Sequence, residues 1–312
     1  MSAIRFEQHL SGRSVVNTMH GAVSIAFISA LIAGAATMFA GSELPDLGGG
    51  NSSFAYSVND KGDVVGKSYN SNFNEHATIW VGGLPTDLGT LGGASSAARA
   101  VSSSGIIVGS AEVLQADGTN GFPHAALWPS ASSAPIDLGT LGGWNSQASG
   151  VNANGDAVGL SWVTDNSTSH ATFWSAANHA AVDLNFNNAG YSEALGINAA
   201  GDIAGYIMDA NWAYQAVLWT GAAHSPLVLQ TLGGAMARAW AINDKGDVVG
   251  ESQIVGGTWR PTLWAAPAHA PADLGTPVAG AFGMAYGVNA AGDIVGTSGT
   301  GVADGSKHAT LW

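Results

Sequence analysis

The chain alternates apolar and polar positions in short runs rather than at helical spacing, and the runs recur. "SFAYSV" (53–58) and "GMAYGV" (283–288) alternate residue by residue, and each precedes a turn phrase and a second short apolar run. Alternation with period two is typical of half-buried strands, and clusters of Asn, Asp and Gly between such runs are typical of turns. The pattern therefore predicts an all-β chain of short strands.

The turn phrase itself is repeated. "NDKGDVVG" occurs at 59–66 and again at 243–250. Looser copies lie at 102–109, 152–159, 198–205 and 289–296. Asn at the first position and Gly at the fourth fit a type I turn followed by a left-handed glycine. We predict a structural role for the six turn glycines, which are Gly62, Gly105, Gly155, Gly201, Gly246 and Gly292.

Each unit also contains a run that ends in tryptophan and a segment related to "DLGTLGG". The tryptophans recur every 45–48 residues and mark the ends of the third strands, at Trp80, Trp128, Trp174, Trp219, Trp264 and Trp312. Four short strands in about 45 residues is the repeat length of a β-propeller blade. The sequence predicts a six-bladed β-propeller over residues 43–312, with a β-solenoid as the alternative fold.

The two ends of the repeat region complement each other. The last unit stops at its third strand, at Trp312, while "PDLGGG" (45–50) precedes the first unit. A ring of sheets avoids open edges, so we expect the amino-terminal segment to close the last blade.

These units resemble the HAF repeat, a family of extracellular repeats named for a His-Ala-Phe run before tryptophan. The resemblance covers residues 46–312 and rests on "DLGTLGG", the Asn-x-x-Gly-Asp-x-Val-Gly turn and the His-Ala-x-x-Trp strand. At the position where this family typically has phenylalanine, the chain has other residues, which are Thr78, Ala126, Thr172, Val217, Thr262 and Thr310. The resemblance implies export and repetition, and it implies no settled activity.

The first forty residues differ from the rest of the chain. Arg5 and Arg13 precede the apolar run at 21–41, whose end is rich in Gly and Ala. A basic start, an apolar stretch and small residues at its end predict a signal peptide over residues 1–40. The alternative is an uncleaved membrane anchor at 21–41. Both place the repeats outside the cytoplasm, as a secreted, periplasmic or cell-surface protein.

Charge and cysteine content exclude several classes of partner. The chain has 9 Lys and Arg against 22 Asp and Glu, for a formal net charge of −13, which argues against nucleic-acid binding. The absence of cysteine excludes disulfides and thiol nucleophiles. We predict a monomer that requires no cofactor.

Two recurring polar positions are candidates for metal binding, and both are better explained structurally. The acid after the turn glycine, as in Asp63, suggests calcium, but a calcium loop needs more oxygen ligands and the copy "SSSGI" has no carboxylate. Histidine begins the third strand in four units, at His76, His124, His170 and His308. Gln215 and Arg260 replace it in the others, so we predict a hydrogen-bond donor, directed at the aspartate of "DLG", and no metal.

Functional residues are expected in the segments that do not repeat, between the second and third strands. Up-and-down strands place all six segments on one propeller face. The ligand-binding candidates are Tyr69, Phe122, Trp144, Trp162, Trp212, Tyr214 and Trp259, with Phe73 beside them. Aromatic rings among amides and carboxylates suit a glycan or a protein ligand, although such rings also cover blade edges.

The sequence favours a non-catalytic binding or surface-interaction protein. A carbohydrate-active hydrolase or lyase is the alternative, because Asp117, Asp165, Asp209 and Glu251 in or near these segments supply carboxylates. No nucleophile or metalloprotease motif accompanies them. A purely structural surface protein is the third reading.

Overall fold

The repeated phrase forms the tight turn that its residues predict. In the first copy the Gly62 amide donates to the Asn59 carbonyl at 3.0 Å, and the Asn59 side-chain oxygen accepts the amides of Lys61 and Asp63, both at 3.0 Å. Gly62 has a φ of +81°. The five equivalent glycines also have positive φ, at Gly105, Gly155, Gly201, Gly246 and Gly292. Any other residue would be strained here, which explains why each copy has glycine.

These turns join the first two strands of every sheet. The structure is a computed structural model that describes residues 42–312 apart from residue 188 and residues 302–304. Its first three sheets contain β1 (Gly48–Val58), β2 (Val64–Asn70), β3 (Glu75–Val81), β4 (Leu84–Asp87), β5 (Gly92–Val101), β6 (Ile107–Leu114), β7 (Asn120–Trp128), β8 (Ile136–Asp137), β9 (Gly142–Val151), β10 (Ala157–Val163), β11 (Ser169–Trp174) and β12 (Ala181–Asp183). The last three contain β13 (Tyr191–Ile197), β14 (Ile203–Met208), β15 (Tyr214–Thr220), β16 (Ser225–Val228), β17 (Gly233–Ile242), β18 (Val248–Ile254), β19 (Trp259–Trp264), β20 (Pro271–Asp273), β21 (Gly283–Val288), β22 (Ile294–Gly299) and β23 (Lys307–Leu311).

Each sheet is an antiparallel meander. Five sheets repeat the order β1-β2-β3-β4, and the sixth comprises β21, β22 and β23 in the described part of the chain. The first strands of successive sheets pack beside one another, while each fourth strand packs mainly on its own third strand. First strands are therefore innermost and fourth strands outermost. The six sheets are the blades of a six-bladed β-propeller, which confirms the predicted fold over the solenoid.

The glycine that ends the phrase permits a close approach between the first two strands. A Cβ on Gly66 would lie 1.8 Å from the carbonyl oxygen of Phe54, and one on Gly109 would lie 2.0 Å from that of Ala97. This close approach lies next to a shift of the strand register in the first strand, as expected of a β-bulge. The bulge thus requires glycine in the second strand.

The strand-end tryptophans of the second, fourth, fifth and sixth blades hydrogen-bond to the preceding blade. The indole N–H of Trp128 donates to the Leu88 carbonyl at 2.7 Å, and that of Trp219 donates to the Leu184 carbonyl at 3.0 Å. Both acceptors lie in the segment that leaves the preceding blade. Five of these side chains are almost completely buried, at Trp80, Trp128, Trp174, Trp219 and Trp264. Their predicted role in blade packing is confirmed.

The segment that leads into the first blade aligns with the other blades differently from what the letters "PDLGGG" suggest. The Gly48 amide donates to the Asp46 carboxylate at 2.8 Å, as the Gly92 amide donates to the Thr90 hydroxyl at 3.1 Å. Asp46 therefore stands in the place of the threonine of "DLGTLGG" and not in that of its aspartate, Asp87.

The described part of the chain leaves two expectations on the amino-terminal region open. Residues 46–312 form one compact unit. The sixth sheet has three strands among the described residues, so its closure by the amino-terminal segment stays a prediction. The predicted signal peptide or anchor lies outside the described residues. Within those residues, no helix has the length and apolarity needed to cross a membrane.

Candidate functional site

The variable segments emerge at one end of the blades. Each joins a second strand to a third, and the isolated bridge from Leu91 to Val113 brings the "LGG" turn to the same end of β6. We call this end the variable-loop face; it contains the loops that follow β2, β6, β10, β14, β18 and β22.

The loop after β14 presents Trp212 on a rigid turn. The Asp209 carboxylate accepts the amides of Asn211 and Ala213, at 2.8 and 3.0 Å, and the side-chain amide of Gln215 at 3.1 Å. Trp212 has a φ of +63° and a 68% exposed side chain. Positive φ is uncommon for a bulky residue and persists where surrounding bonds enforce it. The turn therefore holds an exposed indole in a fixed position.

A small cavity lies beside this indole. The ring of Tyr191, at the start of β13, has its centroid 5.9 Å from that of Trp212 at an interplanar angle of 35°. The Tyr191 hydroxyl donates to the Ser167 carbonyl of the neighbouring blade at 3.2 Å, which fixes the ring. The cavity measures about 160 Å³, and its lining residues are Gly190, Tyr191, Met208, Asp209, Ala210 and Trp212.

The carboxylate at this cavity is ionised at neutral pH. Hydrogen bonds from the amides of Ala213 and Asn211 hold the pKa of Asp209 below its ordinary value. The cavity thus combines two aromatic faces with one anionic acceptor.

A second pair of exposed rings lies between the second and third blades. Phe122 in β7 and Trp144 in β9 stack with their centroids 5.1 Å apart and 12° between their planes. Their exposed fractions are 44% and 59%. The Trp144 amide donates to the Asn166 side chain at 2.7 Å, which ties this turn to the loop after β10.

Two other predicted residues, Tyr214 and Trp259, belong to a different group of side chains. We call Tyr206, Tyr214, Arg238, Glu251 and Trp259 the inner cluster. The Arg238 guanidinium lies 4.6 Å from the ring centroid of Tyr214 and 5.3 Å from that of Trp259, and it pairs with the carboxylate of Glu251. Glu251 is completely buried, and burial raises the pKa of its carboxyl group. The cluster links the fourth and fifth blades.

The inner cluster extends to a second carboxyl group, the half-buried Glu193. The Tyr206 hydroxyl donates to Glu193 at 2.9 Å, and burial raises the pKa of both groups. Sequence reasoning missed Glu193 and Arg238 because they occupy strand positions. The sequence did offer one signal, since the residue at this strand position differs from blade to blade. Tyr206 stands where the first two blades have Lys67 and Ser110.

The remaining predicted aromatics lie within strands. Tyr69 is near the end of β2 opposite Glu75, and Trp162 is in β10 opposite Ser169. Both are half-buried. The structure therefore groups Trp212 with Tyr191, pairs Phe122 with Trp144, and leaves Tyr69 and Trp162 apart from these two ring pairs.

The loop carboxylates cap their own turns. Asp117 accepts the hydroxyl and amide of Thr119, and Asp165 accepts those of Ser167. These bonds lower the pKa of both aspartates. Each side chain is committed to its own loop, so it lacks the elevated pKa that a general acid needs.

Four of the residues that begin the third strands, at His76, His124, His170 and Arg260, bind the aspartate of the "DLG" position, as predicted, whereas Gln215 donates to Asp209 in its own loop. The His76 ring nitrogen lies 2.8 Å from Asp87, and the Arg260 guanidinium donates to Asp273 at 3.0 Å. Among the residues that the structure describes, no group of three or more His, Asp or Glu side chains is arranged to hold a metal ion.

Comparisons with known proteins identify no family for this chain. No protein-family model matches it, and a search of curated proteins finds no relative. The resemblance to HAF repeats stays a prediction.

Proposed function

We propose that this protein is an exported, non-catalytic propeller that binds a glycan on its variable-loop face, at Trp212 and Tyr191. The observation that supports this most strongly is the rigid presentation of an exposed indole beside a second ring and a small cavity. The turn alone does not distinguish Trp212, because Phe73 has nearly the same exposure and φ; the second ring and the cavity do.

Sugar rings suit this geometry. The apolar face of a pyranose packs on an aromatic ring, and its hydroxyls donate to carboxylate oxygens. Because Trp212 is already held by its turn and Tyr191 by Ser167, little conformational freedom is lost on binding. The ionised Asp209 and the formal net charge of −13 favour a neutral glycan over an acidic one.

Binding is favoured over hydrolysis because the candidate catalytic carboxylates already have partners within the protein. Asp117, Asp165 and Asp209 accept hydrogen bonds from their own loops, and Glu251 pairs with Arg238 in the interior.

The test is calorimetric titration of the purified full chain with neutral oligosaccharides of the β-glucan, xylan, mannan and chitin classes. We expect one class to bind saturably and Trp212→Ala to weaken that binding by at least about tenfold. Phe73→Ala is the matched control, because Phe73 occupies the tip of the same kind of turn in the first blade, and it should leave affinity unchanged.

Two outcomes would contradict the proposal. One is the absence of binding by any glycan to a chain whose circular dichroism shows a folded β-protein; a protein partner would then be the next hypothesis. The other is binding that Trp212→Ala leaves intact. Product formation from a bound glycan would instead support the hydrolase or lyase alternative.

Export is a separate part of the proposal, supported by the basic and apolar pattern of residues 1–41 and by the resemblance to HAF repeats. Cell fractionation and the intact mass of the recovered protein test it. Protein found in the cytoplasm at full mass would contradict export.

A further inference from the structure

One loop joins the two pairs of aromatic rings on the variable-loop face. It follows β10 and comprises residues 164–168. The side-chain oxygen of Asn166 accepts the backbone amide of Trp144 at 2.7 Å, and the carbonyl of the next residue, Ser167, accepts the Tyr191 hydroxyl at 3.2 Å. Because adjacent α-carbons are only about 3.8 Å apart, one short stretch of backbone fixes Trp144 and Tyr191 relative to each other.

A further ring continues the contacts on each side of this loop. Phe122 stacks on Trp144 with centroids 5.1 Å apart, and Trp212 lies 5.9 Å from Tyr191. We call these four residues the aromatic arc. The arc begins in the second blade, crosses the start of the third and ends in the fourth, and each ring contacts either the next ring or the loop after β10. Phe122, Trp144 and Trp212 are exposed, so the arc presents apolar ring faces to solvent across three successive blades.

The tip of the loop after β10 supports the arc without supplying a ring. Asn166 stands at the turn position that Trp212 has in the fourth blade, because its amide donates to the carbonyl three residues earlier, at 2.8 Å, and its φ is +55°. The second and fifth blades have glycine at this position, Gly118 and Gly257. The third blade therefore uses its tip side chain to hold Trp144, a ring from the turn that precedes β10.

An ionised carboxylate accompanies each part of the arc. Asp209 lines the cavity beside Trp212, and Asp165 is exposed on the loop that joins the two ring pairs. Hydrogen bonds from the hydroxyl and amide of Ser167 hold the pKa of Asp165 below its ordinary value. Both carboxylates can accept hydrogen bonds from hydroxyl groups, and both repel anionic groups. The arc thus suits an uncharged ligand that carries many hydroxyls.

We propose that the aromatic arc is one extended site for consecutive units of a linear neutral glycan, in which Phe122 and Trp144 form a second subsite beside that of Trp212 and Tyr191. This rests on the glycan binding proposed above and adds the length of chain that the site recognises. A chain that covers both subsites makes the second contact intramolecularly, so its affinity exceeds that for either subsite alone by about a hundredfold or more. A disaccharide at one pair gains nothing from the other.

A repeating chain fits the arc because the two subsites offer similar chemistry. Each has a pair of rings, and each has a carboxylate on the adjoining loop, so the same chemical unit suits both. The loop after β10 keeps the distance between them fixed. A linear polymer presents the same unit at regular intervals, and little conformational freedom of the protein is lost when both subsites are already held in place.

The dependence of affinity on chain length tests this arrangement. Calorimetry of the full chain compares the disaccharide with longer oligomers of the β-glucan, xylan, mannan and chitin classes. Trp144→Ala should weaken binding of the longer oligomers by about tenfold or more and leave disaccharide binding at Trp212 unchanged. Trp212→Ala should weaken both. The matched control is Phe73→Ala in the first blade, which should change neither.

The Trp144→Ala variant is expected to fold normally. The second and fifth blades have alanine at the same position, Ala94 and Ala235. Circular dichroism and Tm check this before the titrations.

The outcomes separate the extended site from the proposed function. If Trp212→Ala weakens binding while Trp144→Ala leaves the affinity for longer oligomers unchanged, the extended site is wrong and the site at Trp212 stands. Two disaccharides bound independently, with no gain for longer oligomers, would also overturn the extended site, because the ring pairs would then act separately. Absence of binding by every glycan would overturn both.

Discussion

The first and fourth blades have the same turn at the variable-loop face and different chemistry around it. In the first blade the side-chain oxygen of Asn70 accepts the amides two and four residues further on, and Phe73 at the tip has a φ of +61°. In the fourth blade Asp209 makes the same two bonds, and Trp212 at the tip has a φ of +63°. Both tips are exposed aromatics.

The difference lies in what each turn is packed beside. Trp212 has Tyr191 and a cavity next to it, whereas Phe73 has no ring contact among the described residues. In the strands next to these turns, the fourth blade has the half-buried Tyr206–Glu193 pair where the first blade has Lys67 over the ring of Phe54. The repeat thus supplies the turn, and residues outside the repeat pattern decide whether its tip forms a binding surface.

The largest effect on stability is expected inside the fourth blade. Tyr206→Phe removes the hydrogen bond to the half-buried Glu193 carboxyl group, and we expect the free energy of unfolding to fall by about 1–3 kcal/mol. The counterpart in the first blade, Lys67→Met, removes an ion pair with Glu75 and should cost less than about 1 kcal/mol. Urea unfolding measures both, and equal losses would contradict the contrast between the blades.

Asp209 is expected to matter for affinity through the turn that it caps. Asp209→Ala should weaken glycan binding by about tenfold, because Trp212 loses its fixed position. Asp209→Asn is the control, since Asn70 shows that asparagine caps the same turn. Calorimetry on both variants separates capping from charge. Equal loss in both would assign the effect to the carboxylate itself.

The two blades should also respond differently to pH. The hydrogen bond to Asp87 raises the pKa of His76, so this contact stabilises the fold fully below the unfolded histidine pKa of about 6.5. That contribution is lost as the pH rises through the raised pKa of the folded state. The fourth blade has Gln215 here. His76→Gln should therefore flatten the dependence of Tm on pH between 5 and 9, and an unchanged slope would contradict this.

The smallest effect is expected from transplanting the indole alone. Phe73→Trp places tryptophan on the same turn in the first blade, where no neighbouring ring contacts the tip among the described residues. We expect no added glycan-binding site in calorimetry and little change in stability. A second site of comparable affinity would show that the turn is sufficient and that Tyr191 is dispensable.

Turn and core chemistry were predictable from local sequence, and the grouping of the rings was not. The positive φ of Gly62 follows from a five-residue phrase, and burial of Trp128 follows from its recurrence. Trp212 was a candidate because it stands in a variable loop. Its neighbour Tyr191 was missed because it begins a strand, where alternation gives no indication of a ring across the loop.

The sequence by itself determined the all-β class, the number of blades and the places where glycine is required, because turns and strand alternation depend on residues close together in the chain. Only the tertiary structure decided that Tyr191 meets Trp212, that Phe122 stacks on Trp144, and that Arg238 is enclosed by rings from two blades. Such contacts join side chains about 20 or more residues apart. They depend on how far each strand twists and which face it turns to the next blade, which no local pattern specifies.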